Sequence, residues 1–228
     1  MTDETLNGDL GVRVAVATAS MPWSPSPSPS VWRKRVHCVG PAESGQVTSV
    51  VRYDPDSSFD AHGHPGGEEI LVLDGVFTDD RGDWPTGTYL LNPEGYRHAP
   101  SSRDGCVLFV KLRQFPGLDR QQVALDTNAM AWRPGERAGV EVKSLYSQPG
   151  YSDTMALERW RPGFDNDPRG YAAGAEVFVI EGEFGDEFGE YEAGAWLRFP
   201  EGATHSPRTA RGCTLYIKRG GQPYLLAG

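Results

Sequence analysis

Three of the five histidines in the 228-residue sequence lie where they could bind one metal ion together. His62 and His64 are two residues apart, so a β-strand turns both side chains to the same side. His98 follows the turn-forming sequence Pro-Glu-Gly, and the strand after that turn can carry it back toward the first two. Imidazole nitrogens bind zinc at about 2.0–2.1 Å. The spacing therefore predicts a metal centre that contains His62, His64 and His98.

An acidic pair follows these histidines, and strand parity indicates which member could be a fourth ligand. Glu68 is an even number of residues from His64, so a continuous strand places its carboxylate on the histidine side. Glu69 would then face the opposite side. A bulge at residues 65–67 would break this count. We expect Glu68, rather than Glu69, to be the ligand.

The elements that must position these residues occur twice in the chain. Shifting the sequence by 107 residues places 50–111 over 157–218 without a gap, with GDWPTGTYLLNPEGYRHAP over GEYEAGAWLRFPEGATHSP. A repeat of this length suits a whole small domain. We predict an N-terminal domain at residues 12–117 that holds the metal site, and a C-terminal domain at residues 118–228 whose site is degenerate.

Both copies have the sequence pattern of short strands. Runs such as EEILVLDGVF and AEVFVIEGEF are rich in β-branched and aromatic residues and end at Gly, Pro, Asp or Asn. No helical periodicity of useful length is present. Evenly spaced short strands of this kind are typical of a closed or sandwiched antiparallel barrel. The predicted fold class is all-β, with two barrels in one chain.

Two motifs of the first copy resemble those of the cupin superfamily. HGHPGGEE followed by Gly75 is similar to the first cupin motif, and the segment from Gly87 to His98 is similar to the second. HPGGEEILVLDGVF and HAPSSRDGCVLFVKL resemble in particular the cupin domain of ChrR-type anti-sigma factors. The resemblance implies two cupin domains, each a double-stranded β-helix or jelly roll. It also implies that His62, His64, Glu68 and His98 hold the metal.

The second copy has lost most of these groups. Arg169, Tyr171 and Ala175 stand at the positions of His62, His64 and Glu68, and only His98 has a counterpart, His205. An arginine repels a metal cation and has no lone pair to donate. Copy two is therefore either a structural partner with a degenerate cavity, or a site where Arg169 and His205 hold a small anion or carboxylate.

The composition of the chain argues against nucleic acids and membranes as binding partners. The net charge is −9 and the pI about 5.0, so the chain lacks the basic surface that nucleic acids require. No apolar run approaches the roughly 18 residues of a membrane span, so we expect no membrane association. Three cysteines without a CxxC pattern fit a reducing compartment, and we expect a cytoplasmic protein. A homodimer is left open by the sequence.

Three functions are compatible with this site. The first is a metal-dependent oxygenase that acts on a small ketone or diketone, because cupins that resemble this chain include diketone-cleaving dioxygenases. The second is a ChrR-like sensor or binding protein that holds a small-molecule ligand at its metal without catalysis. The third is a structural protein whose metal only stabilises the fold.

We expect one divalent ion per chain, zinc or iron(II), with nickel or manganese as further candidates, since imidazole and carboxylate ligands bind all four metals. No catalytic residue can be named. We do not expect binding of a sigma factor, because the His-x3-Cys-x2-Cys pattern of the sigma-binding domain in ChrR-type proteins is not found in this sequence.

Overall fold

The computed structural model describes residues 3–41, 43–165 and 168–221. Within these ranges the regular structure is almost entirely β, with a single 3₁₀ turn at Thr18–Ser20. The all-β fold class predicted from the sequence is confirmed. The strands of the first half are β1 (Asp3–Leu6), β2 (Val14–Ala17), β3 (Ser24–Pro25), β4 (Val31–Pro41), β5 (Gln46–Tyr53), β6 (Ser57–Ser58), β7 (His62–His64), β8 (Glu68–Asp79), β9 (Gly82–Pro85), β10 (Thr88–Asn92), β11 (Tyr96–His98), β12 (Ser101–Ser102) and β13 (Cys106–Leu112).

The second half repeats this order of strands, as the duplication in the sequence predicts. No helix among the described residues has the length and apolar character needed to cross a membrane. The strands of the second half are β14 (Val123–Asp126), β15 (Arg133–Pro134), β16 (Val140–Ser147), β17 (Thr154–Trp160), β18 (Phe164–Asp165), β19 (Arg169–Tyr171), β20 (Ala175–Asp186), β21 (Gly189–Glu192), β22 (Ala195–Phe199), β23 (Ala203–His205), β24 (Arg208–Thr209) and β25 (Cys213–Arg219).

Each half forms one large antiparallel sheet and one small one. In the first, the main path runs β1-β4-β5-β13-β8-β10-β14, and β7 pairs with β11 in a separate two-stranded sheet. In the second, the path runs β15-β16-β17-β25-β20-β22-β2, and β19 pairs with β23. Neither path closes on itself among the described strands. The jelly-roll expectation is therefore met in its sandwiched form rather than as a closed barrel.

The two sequence copies exchange one strand each, β2 and β14. β2 pairs with β22, and β14 pairs with β10. Among the described residues, one compact unit therefore contains 3–8 and 21–129, and the other contains 9–20 and 130–221. We call these the first and second units.

The compact units divide the chain differently from the predicted domains 12–117 and 118–228. Those ranges stay a prediction about the extent of the two sequence copies. Residue 42 of the first range, and residues 166–167 and 222–228 of the second, lie outside the described residues.

A glycine bulge bends the long strand that follows the metal motif. The register of β8 against β13 shifts at Leu73, and Gly75, two residues further on, adopts a φ of 73°. A Cβ atom there would lie 2.2 Å from the Gly105 carbonyl oxygen, so any other residue would collide with the neighbouring strand. Gly182 in the second unit has a φ of 75° and the same 2.2 Å approach, to Gly212. Before the bulge β8 pairs with β10, and after it β8 pairs with β9 and β12.

The alternating apolar residues of these strands form the core of each unit. Cys106 and Cys213 lie within these cores as free thiols, and burial raises their pKa values to about 11 and about 12. Both thiols are therefore protonated at neutral pH and act as packing groups. One buried hydrophobic cluster of the first unit contains Val31, Tyr53, Ile70, Val72, Phe77, Leu90, Cys106, Leu108 and Val110.

Candidate metal centre

Two short strands bring the three histidines together. β7 and β11 pair antiparallel so that His98 lies directly opposite His62, and Tyr96 opposite His64. Directly opposed residues on one sheet face have neighbouring side chains. The turn before β11 is closed by hydrogen bonds from the Gly95 amide to the His64 carbonyl (2.9 Å) and from the Tyr96 amide to the Pro93 carbonyl (3.1 Å). The Pro-Glu-Gly turn thus returns the chain as the sequence predicts.

The imidazoles converge on one point. One ring nitrogen from each of His62, His64 and His98 lies within 4.8 Å of the others, and this group could hold a metal ion. The Nε2 atoms of His64 and His98 are 2.9 Å apart. His64 and His98 are buried, whereas His62 is half-buried and faces a cavity.

Glu68 faces these histidines and Glu69 does not. The Glu68 oxygens lie 3.6 Å from the Nε2 atoms of His64 and His98. Glu69 instead accepts a hydrogen bond of 2.7 Å from the Tyr89 hydroxyl. The chain does leave the strand at residues 65–67, but the two sides predicted by parity are kept. That Glu68 is a metal ligand stays a prediction.

The donor set fits a divalent cation. Two nitrogens that are each about 2.0–2.1 Å from a shared ion lie about 2.9 Å apart when they occupy adjacent octahedral positions. The Nε2 atoms of His64 and His98 have this separation. Three imidazoles and one carboxylate also leave coordination positions for water or a ligand. The residues present therefore suit an ion that keeps open positions.

Polar groups lie behind two of the rings, with a hydrogen bond at His62 and a longer contact, without a hydrogen bond, at His98. His62 Nδ1 donates to the Asp60 carbonyl oxygen (2.8 Å), which leaves Nε2 without a proton and able to coordinate. His98 Nδ1 lies 3.5 Å from the Asp79 carboxylate. Asp79 is in turn fixed by hydrogen bonds from Trp84 Nε1 (2.9 Å) and the Tyr96 hydroxyl (3.1 Å). Carboxylate and carbonyl partners of this kind fix the tautomer of ligating histidines.

Burial keeps the imidazoles of His64 and His98 neutral. It lowers the pKa of His64 to about 3, with further contributions from the charges of His62 and Arg113, and it also lowers the pKa of His98. Burial raises the pKa of Glu68, although the charge of His98 and a hydrogen bond from Asn92 oppose that rise. His64 and His98 therefore present lone pairs, rather than protons, at neutral pH.

A cavity of about 730 Å³ opens onto the four candidate ligands. Residues 26–29 of the Ser/Pro-rich segment line it, together with the two arginines Arg33 and Arg113. This volume is in the range of small-molecule sites. Its apolar lining is supplied by Val31, Val51, Tyr53, Phe59, Ile70, Phe77, Leu108, Val110 and Leu112.

In the second unit an internal ion pair occupies the position of the metal site. Arg169 donates to both oxygens of Glu158, at 2.8 and 2.7 Å, and Arg219 also donates to Glu158. Arg169 and Glu158 are both buried. The carboxylate that Arg169 was predicted to hold is thus present as a side chain of the same unit, and the degenerate-cavity interpretation is favoured.

His205, the counterpart of His98, keeps the aspartate behind its ring but not the neighbouring histidines. Its Nδ1 donates to Asp186 (3.0 Å), the counterpart of Asp79, and its Nε2 lies 3.2 Å from the Tyr171 hydroxyl. The rings of Tyr171, Phe199 and Phe184 pack around it. Aromatic side chains therefore fill the space that is a cavity in the first unit.

Asn92 is a site residue that the sequence reasoning missed. Its Nδ2 donates to Glu68 Oε2 (3.1 Å), and its Oδ1 accepts from Arg81 (3.0 Å) and Gln122 (3.2 Å). The alignment of the two copies contained a signal that could have identified Asn92. Glu68 and Asn92 are replaced together, by Ala175 and Phe199, as expected for two residues that depend on each other.

We expect Asn92→Ala to weaken metal binding by about 10- to 100-fold, the usual effect of removing a partner of a ligand. The Glu68 carboxylate would lose the donor that orients it in a buried setting. The measurement is competition for zinc with a chromophoric chelator. Asp83→Ala is the matched control, because Asp83 is exposed and bonded to Thr78 at 2.7 Å, away from the histidines. Equal affinities for Asn92→Ala and the control would show that Asn92 does not support the ligand.

Comparison with known proteins places this geometry in a family. Residues 12–116 and 120–222 each match the profile of the ChrR Cupin-like domain. No protein of curated function matches the sequence significantly.

Solved structures share the fold at low sequence identity. A candidate dioxygenase from Nostoc punctiforme has a TM-score of 0.78 at 14% identity, over 95% of this chain and 85% of that chain. Protein YlbA from E. coli has a TM-score of 0.73 at 13% identity, over 94% and 93%. A variant of the oxalate decarboxylase OxdC from Bacillus subtilis has a TM-score of 0.63 at 13% identity, over 91% and 77%. With both halves matched by one family profile and the whole chain sharing the fold of these proteins, the chain belongs to the ChrR cupin-like family and carries two of its domains in tandem.

Proposed function

We propose that the first unit binds one divalent metal ion through His62, His64, His98 and Glu68, and that it is a metal-dependent oxygenase acting on a small ketone or diketone. The observation that carries this proposal is the cavity, since all four candidate ligands line it. A metal that only stabilised the fold would need no cavity of about 730 Å³ beside it. In the second unit, aromatic side chains surround the one remaining histidine.

Each part of the site has a defined task in such a reaction. A bound divalent ion supplies Lewis acidity toward a ketone or enolate oxygen and, where it is redox-active, a binding place for dioxygen. The apolar walls, which include Phe59 and Phe77, exclude water and hold the carbon skeleton. The Asp60 carbonyl keeps His62 oriented, and the Asp79 carboxylate lies 3.5 Å behind His98. No side chain is assigned as a general base.

The reaction balances without an external reductant. Oxidative cleavage of a 1,3-diketone takes up one dioxygen and places one oxygen atom in each of two products, a carboxylic acid and a 2-oxoaldehyde. The candidate dioxygenase among the structural neighbours supports this class of chemistry by analogy of fold. OxdC, an oxalate decarboxylase, is a bicupin neighbour with a different activity, so the reaction class must be tested directly.

We expect one equivalent of metal per chain, all of it in the first unit. The test is elemental analysis of protein purified without added metal, and then after loading with iron(II) or zinc. His98→Gln should fall to about a tenth of an equivalent or less, and His205→Gln should retain the full equivalent, because His205 is bonded to Asp186 and Tyr171. Two equivalents in the unchanged protein, both lost only in the double variant, would contradict the proposal.

The oxygenase activity is tested on the iron-loaded protein with an oxygen electrode and a panel of small ketones and diketones. We expect oxygen uptake that requires both the ketone and the metal and that is absent in His98→Gln. Tight ligand binding without oxygen uptake would instead favour the alternative, a ChrR-like metal-bound sensor or binding protein. Unfolding on chelation without any ligand binding would favour a purely structural metal.

A further inference from the structure

Arg113 is a cavity-lining cation whose hydrogen bonds go to main-chain oxygens, while the Glu43 carboxylate acts on its charge from a longer distance. Its guanidinium donates to the main-chain carbonyls of Gly45 and Glu43, each at 3.1 Å. No carboxylate of the described residues lies within ion-pair distance of it. A half-buried guanidinium that is paired only with neutral oxygens can still gain a charged hydrogen-bond acceptor.

The backbone of Arg113 is held in a costly conformation. Its φ is 59°, a left-handed value that non-glycine residues seldom adopt. The equivalent residue of the second unit is Gly220, with a φ of 67°. The two positions are truly equivalent, because the Arg113 amide bonds to Gly67 (2.9 Å) as the Gly220 amide bonds to Gly174 (3.1 Å).

The second unit therefore shows that glycine fits this position without strain. The first unit carries an arginine there despite the backbone cost, and strain of this kind is concentrated at functional sites. The Gly67 carbonyl that anchors Arg113 belongs to the turn that begins at His64, since the Gly67 amide donates to the His64 carbonyl (3.1 Å). One turn thus fixes both a candidate metal ligand and the cation.

A second arginine lines the same cavity and is also missing from the second unit. Arg33 is bonded to both oxygens of Glu43, at 2.9 Å each, and Glu43 also accepts from Arg35. Val142 stands at the position of Arg33, since Ser24 pairs with Arg33 as Arg133 pairs with Val142. The two cavity cations and three of the four candidate metal ligands, His62, His64 and Glu68, are therefore replaced together in the second unit.

The geometry points to a carboxylate-bearing ketone, an oxo acid with an apolar body, as the substrate class, with Arg113 as the residue that binds the carboxylate. This inference rests on the proposed function, because it assigns the substrate of the same cavity. The oxo group would lie toward the metal ligands, the carboxylate toward Arg113, and the apolar body against the aromatic wall that includes Phe59 and Phe77. Guanidinium and carboxylate match as bidentate partners.

Two probes of nearly equal shape test the charge preference. Phenylpyruvate carries a carboxylate where 1-phenylbutane-2,3-dione carries a neutral acetyl group. We expect the zinc-loaded protein, which cannot turn them over by redox chemistry, to bind phenylpyruvate about 10- to 100-fold more tightly, the range for a hydrogen bond to a charged group. The measurement is isothermal titration calorimetry at fixed low ionic strength.

Arg113→Gly and Arg113→Gln should abolish this preference while leaving the affinity for the neutral diketone within a few-fold. Glycine suits the backbone conformation, and glutamine keeps a donor for the loop carbonyls while removing the charge. Arg103→Gln is the control, because Arg103 is an exposed arginine of the same unit and its loss changes the net charge equally. Glu43→Gln should strengthen phenylpyruvate binding, since it removes the carboxylate that neutralises Arg33.

The outcomes separate this inference from the proposed function. If unchanged protein shows no preference for phenylpyruvate, or if both Arg113 variants keep the preference, the carboxylate assignment is overturned even when zinc is bound. Zinc content is measured on the same samples, so a failure of the metal centre is seen independently. Metal-free protein should retain an Arg113-dependent preference, although weaker, because the guanidinium is anchored by protein groups alone.

Discussion

Replacing Glu68 by glutamine is expected to weaken zinc binding by more than about 100-fold, beyond the effect of removing a residue that only supports a ligand. The Glu68 carboxylate lies 3.6 Å from the Nε2 atoms of both His64 and His98 and is the acidic group that faces them. Its replacement removes a charged ligand from a buried site, where the attraction between carboxylate and cation is strongest. The measurement is competition with a chelator of known affinity at pH 7.

The neighbouring acid provides the matched control for that experiment. Glu69→Gln makes the same chemical change one residue along β8, but its side chain is bonded to the Tyr89 hydroxyl on the other face. We expect its zinc affinity to stay within a few-fold of the unchanged protein. Equal losses for the two variants would show that the ligand set is not the one proposed, and thermal unfolding of both would show whether either had lost its fold.

Much of the fold could be predicted because the sequence contains two copies of the same domain, which can be aligned with each other. Two copies with matching turns predicted two matching sets of strands, and their alternating patterns predicted an all-β fold. The exchange of β2 and β14 between the two sequence copies could not be predicted. A repeat shows that both copies contain such a strand, but a strand pairs equally well with either copy, and no local feature of the sequence states which.

The site was predictable to the extent that it is local. His62, His64 and Glu68 lie within seven residues, so strand parity alone could place them on one side. Asn92 and Arg113 could not be predicted as site residues, because their roles depend on partners far along the chain. These partners are Glu68 for Asn92 and the turn at Gly67 for Arg113. Strand parity predicts which side of a strand a residue faces, but it does not predict which other residues the side chain contacts there.

The second unit carries a linked set of changes that the sequence contains but that only the structure explains. Val51, His62 and Leu112 of the first unit are replaced by Glu158, Arg169 and Arg219. Taken singly, Glu158 and Arg169 each put a charge into a buried position, which is strongly unfavourable, whereas Arg219 is partly exposed. Taken together they form one ion-pair cluster, in which Glu158 accepts from both arginines and from Trp160 Nε1 (3.0 Å).

This cluster should make the second unit sensitive to the loss of one charge. Glu158→Gln leaves Arg169 as a buried cation without its carboxylate, and removing one partner of a buried pair costs about 3–5 kcal/mol. We expect the free energy of unfolding in urea to fall by that amount at pH 7. Hydrogen exchange should place the loss in β17 and β25, the strands that carry Glu158 and Arg219. Glu190→Gln breaks the exposed pair with Arg208 and should cost about 0.5 kcal/mol or less.

The same cluster predicts how this difference depends on pH. Burial alone would raise the pKa of Glu158, but the hydrogen bonds and charges of Arg169 and Arg219 outweigh it and lower the pKa from 4.5 to about 2. A carboxyl whose pKa is lower in the folded chain stabilises that chain above its unfolded pKa and loses this contribution as the pH falls toward its folded pKa. A shift of this size corresponds to about 3 kcal/mol. The stability difference between unchanged protein and Glu158→Gln should therefore be full at pH 6 and shrink progressively from about pH 5 to pH 2. A difference that stays constant over that range would mean that the Glu158 charge does not hold the second unit together.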